Sequence, residues 1–263
     1  MNHPLFDASL LPLRRARADA IGADYFLHER AFDECLDRIA TVRRAFASAL
    51  MLGEARPGWI ERVRAAGVDE VAVVSGSRDP LPTFAPELCV SVGYLDTAEE
   101  LPALLGLLRM AMAPGGLMIG AFAGGQSLPM LRAAMAAADR ADGAARAHLH
   151  PMIDAASFGG LLGAAGFVDP VVDIDRVTLS YASLDRLVGD LRGMAATNRL
   201  IERPRQGLSR AGLAAARAQF RAAADNGRTT ERIEIVHFSG WARQARRTNQ
   251  GHPAVNPVIS SFS

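Results

Sequence analysis

The stretch ASALMLGEARPGWIERVRAA, residues 47–66, decides how this chain is read. Ala47 to Leu52 is apolar and stops at Gly53, and from Trp59 to Ala66 apolar residues recur at helical spacing. The pattern predicts a strand, a glycine turn and a helix, which is how a βα unit opens. Glycines at such a turn let the backbone bend sharply and approach a ligand. In a sheet of parallel strands that ligand lies at the carboxyl ends of the strands, so Gly53 and Gly58 are candidate binding residues.

Upstream, Phe26, Leu27, Ala31, Cys35, Leu36 and Ile39 recur at helical spacing and predict an amphipathic helix from Asp24 to Arg44. Downstream, Val71 to Val74 and Leu88 to Val92 are short apolar runs of the kind that form fully buried parallel strands. A helix from Glu99 to Ala113 is stopped by Pro114, Gly115 and Gly116, and Leu117 to Phe122 returns as a strand. Helices follow over Leu128 to Arg140 and Ala155 to Ala165, the second closed by Gly166, and then a strand over Phe167 to Val172 interrupted by Pro170. Ser183 to Thr197 and Ser209 to Ala224 are helical, and Glu231 to Ser239 alternates as an antiparallel edge strand would. The expectation is one α/β domain with a mostly parallel sheet covered on both faces. Its parts are a helical segment over residues 1–46, a core over 47–242 with a helical insertion near 183–224, and a loose polar tail over 243–263.

Hydrophobic residues make up 49% and charged residues 22% of the 263 residues, which gives a packed core and excludes a disordered chain. The formal net charge is +1, so no global field draws in nucleic acid or an anionic membrane. Every basic side chain is Arg, which excludes lysine Schiff bases and a phosphate-loop lysine. Cys35 and Cys89 suggest neither a disulfide framework nor a thiolate metal site, and a reducing cytoplasm fits them. No apolar run approaches the roughly 20 residues of a membrane span. Arg14, Arg15 and Arg17 suggest a transit peptide, but Asp7 and Asp19 interrupt the stretch and argue against it.

Several further residues have two readings each. Tyr94, at the carboxyl end of the strand Leu88 to Val92, stands where a substrate or cofactor edge is met in such a sheet, and is otherwise a packing aromatic. Arg56 is either a solvated loop arginine or a fork for an anion. His148 and His150 share one side of an extended segment, yet nothing nearby completes a metal site, and no metal is expected. Asp173 and Asp175 alternate on a strand end as an acid/base or hard-metal pair would, or they pair with Arg176 and neighbouring arginines. Met110, Met112 and Met118 are expected as core filler.

The chain also resembles a known family over nearly its whole length. Phe6 and Asp7 with Arg14 and Arg15, Leu101 and Pro102, Pro114 to Leu117, Gly124 and Gly125, and Gly159 to Leu162 carry the likeness. Its most specific part is Val171 to Arg176 followed by Tyr181, Ser183, Leu184, Asp190 to Arg192, Met194, Thr197 and Asn198. The sequence is similar to the class I methyltransferases related to the complex I assembly factor of arginine-hydroxylase type and to the malonyl-carrier-protein methyltransferase of biotin synthesis. That resemblance implies a Rossmann-like sheet and S-adenosylmethionine as cofactor, held at Gly53, Gly58, Ser75 and Tyr94. The chain departs from the family pattern at Met51, Ala55, Arg56 and Pro57 in the first motif, at Ser75 where an acid grips ribose, and at Asp96 and Thr97. Only Ser75 to Glu87 separates two central strands, too little for a helix, a strand and a second connection, so the third strand is expected to be lost or shortened. Two functions follow from the resemblance: an assembly or interaction protein with a degraded cofactor site and a respiratory complex I subunit as partner, or an active methyltransferase on an unknown acceptor. No catalytic residue is identified, and the sequence says nothing of oligomeric state.

Overall fold

The computed structural model describes residues 3–22, 24–53, 55–76 and 79–243. The tail expected to be loose beyond Arg243 lies outside the described residues. Two helices, α1 (Leu10–Ala20) and α2 (Phe26–Thr41), precede the sheet. The βα unit of the glycine turn is β1 (Ser48–Leu52) and α3 (Trp59–Ala65), followed by β2 (Glu70–Val74) and β3 (Leu88–Val92). Next come α4 (Leu101–Ala111), β4 (Leu117–Gly124), α5 (Pro129–Asp142), α6 (Ala155–Ala164) and β5 (Phe167–Tyr181). The chain continues through α7 (Leu184–Gly193), α8 (Arg210–Ala222) and a two-residue β6 (Ala224–Asp225) into β7 (Arg228–Ala242). Helix α1 falls within the segment over residues 1–46 expected to be helical, whereas β6 was not anticipated from the sequence.

The strands lie in the order β2-β1-β3-β4-β7-β5, with β6 hydrogen-bonded to the side of β7. Strands β2, β1, β3 and β4 run parallel, and β7 is antiparallel to both its neighbours. The order reverses beside β1, which places the carboxyl ends of β1 and β3 at the crevice where this class of sheet accepts ligands. As expected, the segment from Ser75 to Glu87 forms no helix or strand among its described residues.

The short connection changes the surroundings of β2, which becomes the edge of the sheet instead of a buried strand. Val71 and Ala72 are half-buried and Val73 is exposed. At the other side the antiparallel edge is β5, and β7 lies one place inward between β4 and β5. Strand β5 also runs well past Val172. Pro170 falls within a register shift between Val168 and Val171, which absorbs the missing N–H, and pairing with β7 then continues to Tyr181. Asp173 and Asp175 are thus mid-strand residues. A strand open on one face tolerates them because α2 supplies Arg38 and Arg30 opposite.

Two cores flank the sheet. Ala31, Phe32 and Cys35 of α2, Trp59 and Val63 of α3, Leu131 of α5, Leu187 of α7 and Phe220 of α8 bury one face. Phe32 and Trp59 stack with ring centroids 4.1 Å apart. The opposite face is covered by Leu101, Leu105 and Leu108 of α4 and by Phe158 and Leu162 of α6, where Phe158 meets Phe122 and Phe238. Met112 and Met118 are core residues, but Met110 stands 75% exposed on the outer side of α4 and fills nothing. The sheet needs Gly120 where β4 lies between β3 and β7, since a Cβ there would come within 2.0 Å of the Ser91 carbonyl oxygen.

The fully buried carboxylate of Glu231 on β7 accepts hydrogen bonds from the Leu131 and Met130 N–H groups, at 2.9 and 3.3 Å, and so caps the start of α5. Glu231→Ala should therefore lower stability by about 2–3 kcal/mol, and Glu231→Gln, which keeps one acceptor, by less. Denaturant unfolding of the two variants checks the order.

Candidate functional site

Strand β1 ends at the turn that the sequence singles out. Gly53 adopts φ +96° and donates its N–H to the Val74 carbonyl at 2.8 Å. Tyr94 lies directly against it, so that a Cβ on Gly53 would stand 2.6 Å from the Tyr94 Cβ. Tyr94 is buried, and burial raises its hydroxyl pKa. Gly58, at φ +82°, leads into α3. Arg56 is not a solvated loop residue: it is 7% exposed, its guanidinium lying 3.3 Å from the Tyr25 ring centroid and 5.7 Å from that of Trp59. The flat cation over two aromatic faces explains its burial. Ser75 at the end of β2 is exposed, and the Ser75 and Gly76 N–H groups both donate to Asp79 Oδ2 at 2.9 Å.

A cavity of about 160 Å³ opens beside this turn, at the carboxyl ends of β3 and β4. Its polar wall is made by Arg15 of α1, His28 of α2, Arg56, Asp96, Thr97 and Arg199. Of the four candidate cofactor residues, Gly53 and Tyr94 touch one another, while Gly58 and Ser75 lie apart at the ends of neighbouring elements; none lines the cavity.

Charge in the cavity wall is shaped by burial. The His28 imidazole is pressed against Gly93, and burial, reinforced by Arg56 and Arg15, pushes its pKa down to about 3. Burial pushes the Asp96 carboxyl up to about 6 against the opposing pull of Arg199. Both side chains lie deep under the surface while keeping part of their area open to the cavity. His28 Nδ1 and Asp96 Oδ1 have no hydrogen-bond partner among the described residues. Arg199 is buried and donates from Nη2 to Thr97 Oγ1. Its backbone N–H donates to His150 Nε2 at 2.8 Å, and burial with the Arg199 charge lowers the His150 pKa to about 4. At neutral pH the cavity therefore presents guanidinium groups, one carboxyl and uncharged imidazoles.

The remaining candidates are structural. His148 Nε2 is 2.8 Å from Asp139 Oδ1, and no group of metal-ligating side chains exists among the described residues. Asp173 is held bidentately by Arg38 at 2.6 and 3.0 Å and Asp175 by Arg30 at 2.6 and 3.2 Å, whereas Arg176 pairs with Glu234 at 3.3 Å. Burial pushes both cysteine thiols up to about 12, which leaves them unreactive. The sequence reading missed His28 and Arg199 as site residues. It met Asp96 only as a departure from the family pattern, and Arg15 only as a matching residue and part of a basic N-terminal stretch.

No family model matches the chain. A malonyl-[acyl-carrier protein] O-methyltransferase of Xylella fastidiosa is 32% identical over 222 residues, which cover 81% of this chain and 73% of that one. The corresponding protein of Halorhodospira halophila is 34% identical over 188 residues; the match covers 71% of this chain but 60% of the relative's length. The human arginine-hydroxylase NDUFAF5, mitochondrial, is 29% identical over 260 residues, covering 88% of this chain and 75% of its own. Among solved structures, Haemonchus contortus phosphoethanolamine N-methyltransferase 2 aligns with 81% of this chain and 52% of its own at 12% identity and a TM-score of 0.46.

The buried imidazoles set an acid limit on stability. The folded pKa values of His28 and His150, about 3 and about 4, lie below the unfolded 6.5, so on acidification below that value the unfolded chain binds protons the folded chain refuses. Asp96, raised from 3.8 to about 6, works the other way over the lower part of that range. Each imidazole should cost about 2 kcal/mol between about pH 7.5 and about pH 5, with Asp96 returning a part. His150→Gln, which keeps an acceptor for the Arg199 N–H, should flatten the fall, and Asp96→Asn should steepen it. Denaturant melts at the two pH values measure both, and an unchanged slope in His150→Gln would refute the assignment.

Proposed function

Because this chain belongs to the methyltransferase family that includes malonyl-[acyl-carrier protein] O-methyltransferase and NDUFAF5, we propose that it keeps the fold without the ordinary S-adenosylmethionine cleft. In this reading it is an assembly or interaction protein, with a respiratory complex I subunit as partner. The observation that carries the proposal is the packing of Tyr94 against Gly53, which in this reading closes the glycine turn to a cofactor. Two others support it. Arg56 is buried against Tyr25 within the same turn, and β2 is the sheet edge, with no further strand among the described residues beyond it to wall an adenine.

Gly53, Gly58, Ser75 and Tyr94 are the positions that would hold S-adenosylmethionine, and as placed they do not suit it. Ser75 brings no carboxylate for ribose hydroxyls. Methyl transfer needs the acceptor held in line with a bound sulfonium, and positioning supplies much of the rate. The complex I partner comes to this chain from its similarity to NDUFAF5, over 88% of its length.

Asp79 favours a second reading, an active methyltransferase. Its carboxylate accepts from the Ser75 and Gly76 N–H groups and so places an acid at the end of β2 after all.

Calorimetric titration with S-adenosylmethionine and S-adenosylhomocysteine separates the two readings. The closed cleft predicts no saturable heat up to roughly millimolar ligand, and a micromolar Kd would establish the second reading instead. Deleting the gene in the source organism should lower complex I levels; normal levels would remove the proposed partner.

A further inference from the structure

We propose that the outer face of the layer formed by α4 and α6 is a self-association surface, on which a second copy of this chain docks about a two-fold axis with the α4 helices antiparallel. Such a dimer goes beyond the reading of the glycine turn and forms whether or not S-adenosylmethionine binds.

Composition marks the layer. Helix α4 reads LPALLGLLRMA and α6 reads AASFGGLLGA, so Arg109 is the only charged residue in either helix. One side of each packs on the sheet, yet the outer sides are uncharged as well. Leu107 is 56% and Met110 75% exposed, and Ala103, Gly160 and Gly163 are exposed too. A helix that is apolar all round is normally covered all round. The main helical neighbour of α4 is α6, and the short segment from Ser75 to Glu87 supplies no helix among its described residues to cover the rest.

A second copy suits this face because an uncharged surface does not repel itself, and a two-fold axis demands only that the patch be self-complementary. With the axis between Gly106 and Leu107, antiparallel pairing sets Leu107 over Gly106 of the copy and Met110 over Ala103 of the copy. Each exposed large side chain then meets a small residue. Packing within the chain does not require glycine at position 106, where a Cβ would meet no side chain and no other element within 4 Å. Glycine inside a helix costs stability relative to alanine, and close approach of the copy accounts for it.

Charge is complementary in the same alignment. Arg109 is half-buried beside Gly166, its Nε without a hydrogen-bond partner among the described residues. The copy's α4 starts after Glu99 and Glu100, which brings carboxylates within about one helical turn of Arg109 and sets the two helix dipoles head to tail. Helices of 11 and 10 residues make a face about 16 Å long. Two such faces bury on the order of 1,000 Å², the lower bound of a specific interface, which places the dissociation constant in the micromolar range.

Sedimentation equilibrium of the full chain should show monomer and dimer in exchange over roughly 1–300 µM. Leu107→Glu with Met110→Glu should weaken the dimer at least about tenfold, since each buries a charge against an apolar face. Gly106→Ala should raise the melting temperature of the dilute protein, as alanine does in a helix, and still weaken the dimer. Leu13→Glu, at an exposed apolar position on α1, should leave association unchanged. A monomer at every concentration, as expected if another occupant covers the face, a dimer that neither the glutamate pair nor Gly106→Ala weakens, or an equal loss from Leu13→Glu would each overturn the proposal.

Discussion

The brevity of the segment between β2 and β3 is the constraint on which the rest of this structure depends. A parallel crossover needs about 10 to 12 residues with its helix, and a further strand and return need as many again. The segment from Ser75 to Glu87 has room for neither, so the sheet stops at β2. With no strand outside β2 among the described residues, the glycine turn of β1 stands one strand from the margin. Tyr94, just after β3, packs against Gly53, Arg56 within the turn is buried against Tyr25 and Trp59, and the cavity opens at the ends of β3 and β4.

That position gives the cavity its electrostatic character. Elements from the start of the chain, α1 and α2, and a loop close to residue 200 meet over the ends of central strands. Arg199 links them, reaching Thr97 through its side chain and His150 through its backbone. An imidazole placed there stays neutral and a carboxyl there holds its proton to higher pH, since burial disfavours whichever form is charged.

Much of the fold was legible because buried parallel strands and amphipathic helices leave distinct periods. The runs at Leu50, Val90 and Ile119 announced central strands, and the helices at Phe32, Leu105 and Leu131 announced their covering layers. The exposure of β2 was not legible, because Val71 to Val74 has the same composition whether or not a neighbour covers it. The second half of β5 was hidden by Asp173 and Asp175, whose arginine partners lie 135 and 145 residues away in sequence. For the site, position along β3 made Tyr94 a candidate, and the structure places it against Gly53. His28 and Arg199 carry no local mark: one sits in an ordinary helical pattern and the other follows Asn198 in a loop, and only the packing of α2 and that loop over the sheet brings them together.

The truncated margin also bears on solubility. A sheet edge offers a row of free backbone donors and acceptors, a template on which strands from other molecules can dock and begin to aggregate. Here the edge strand spans only Glu70–Val74 and starts with an exposed acid. Shortness and charge are two means by which natural sheets discourage such association. As the rim of the described sheet, β2 has to stay too short, and charged at its start, for its copies to line up along it.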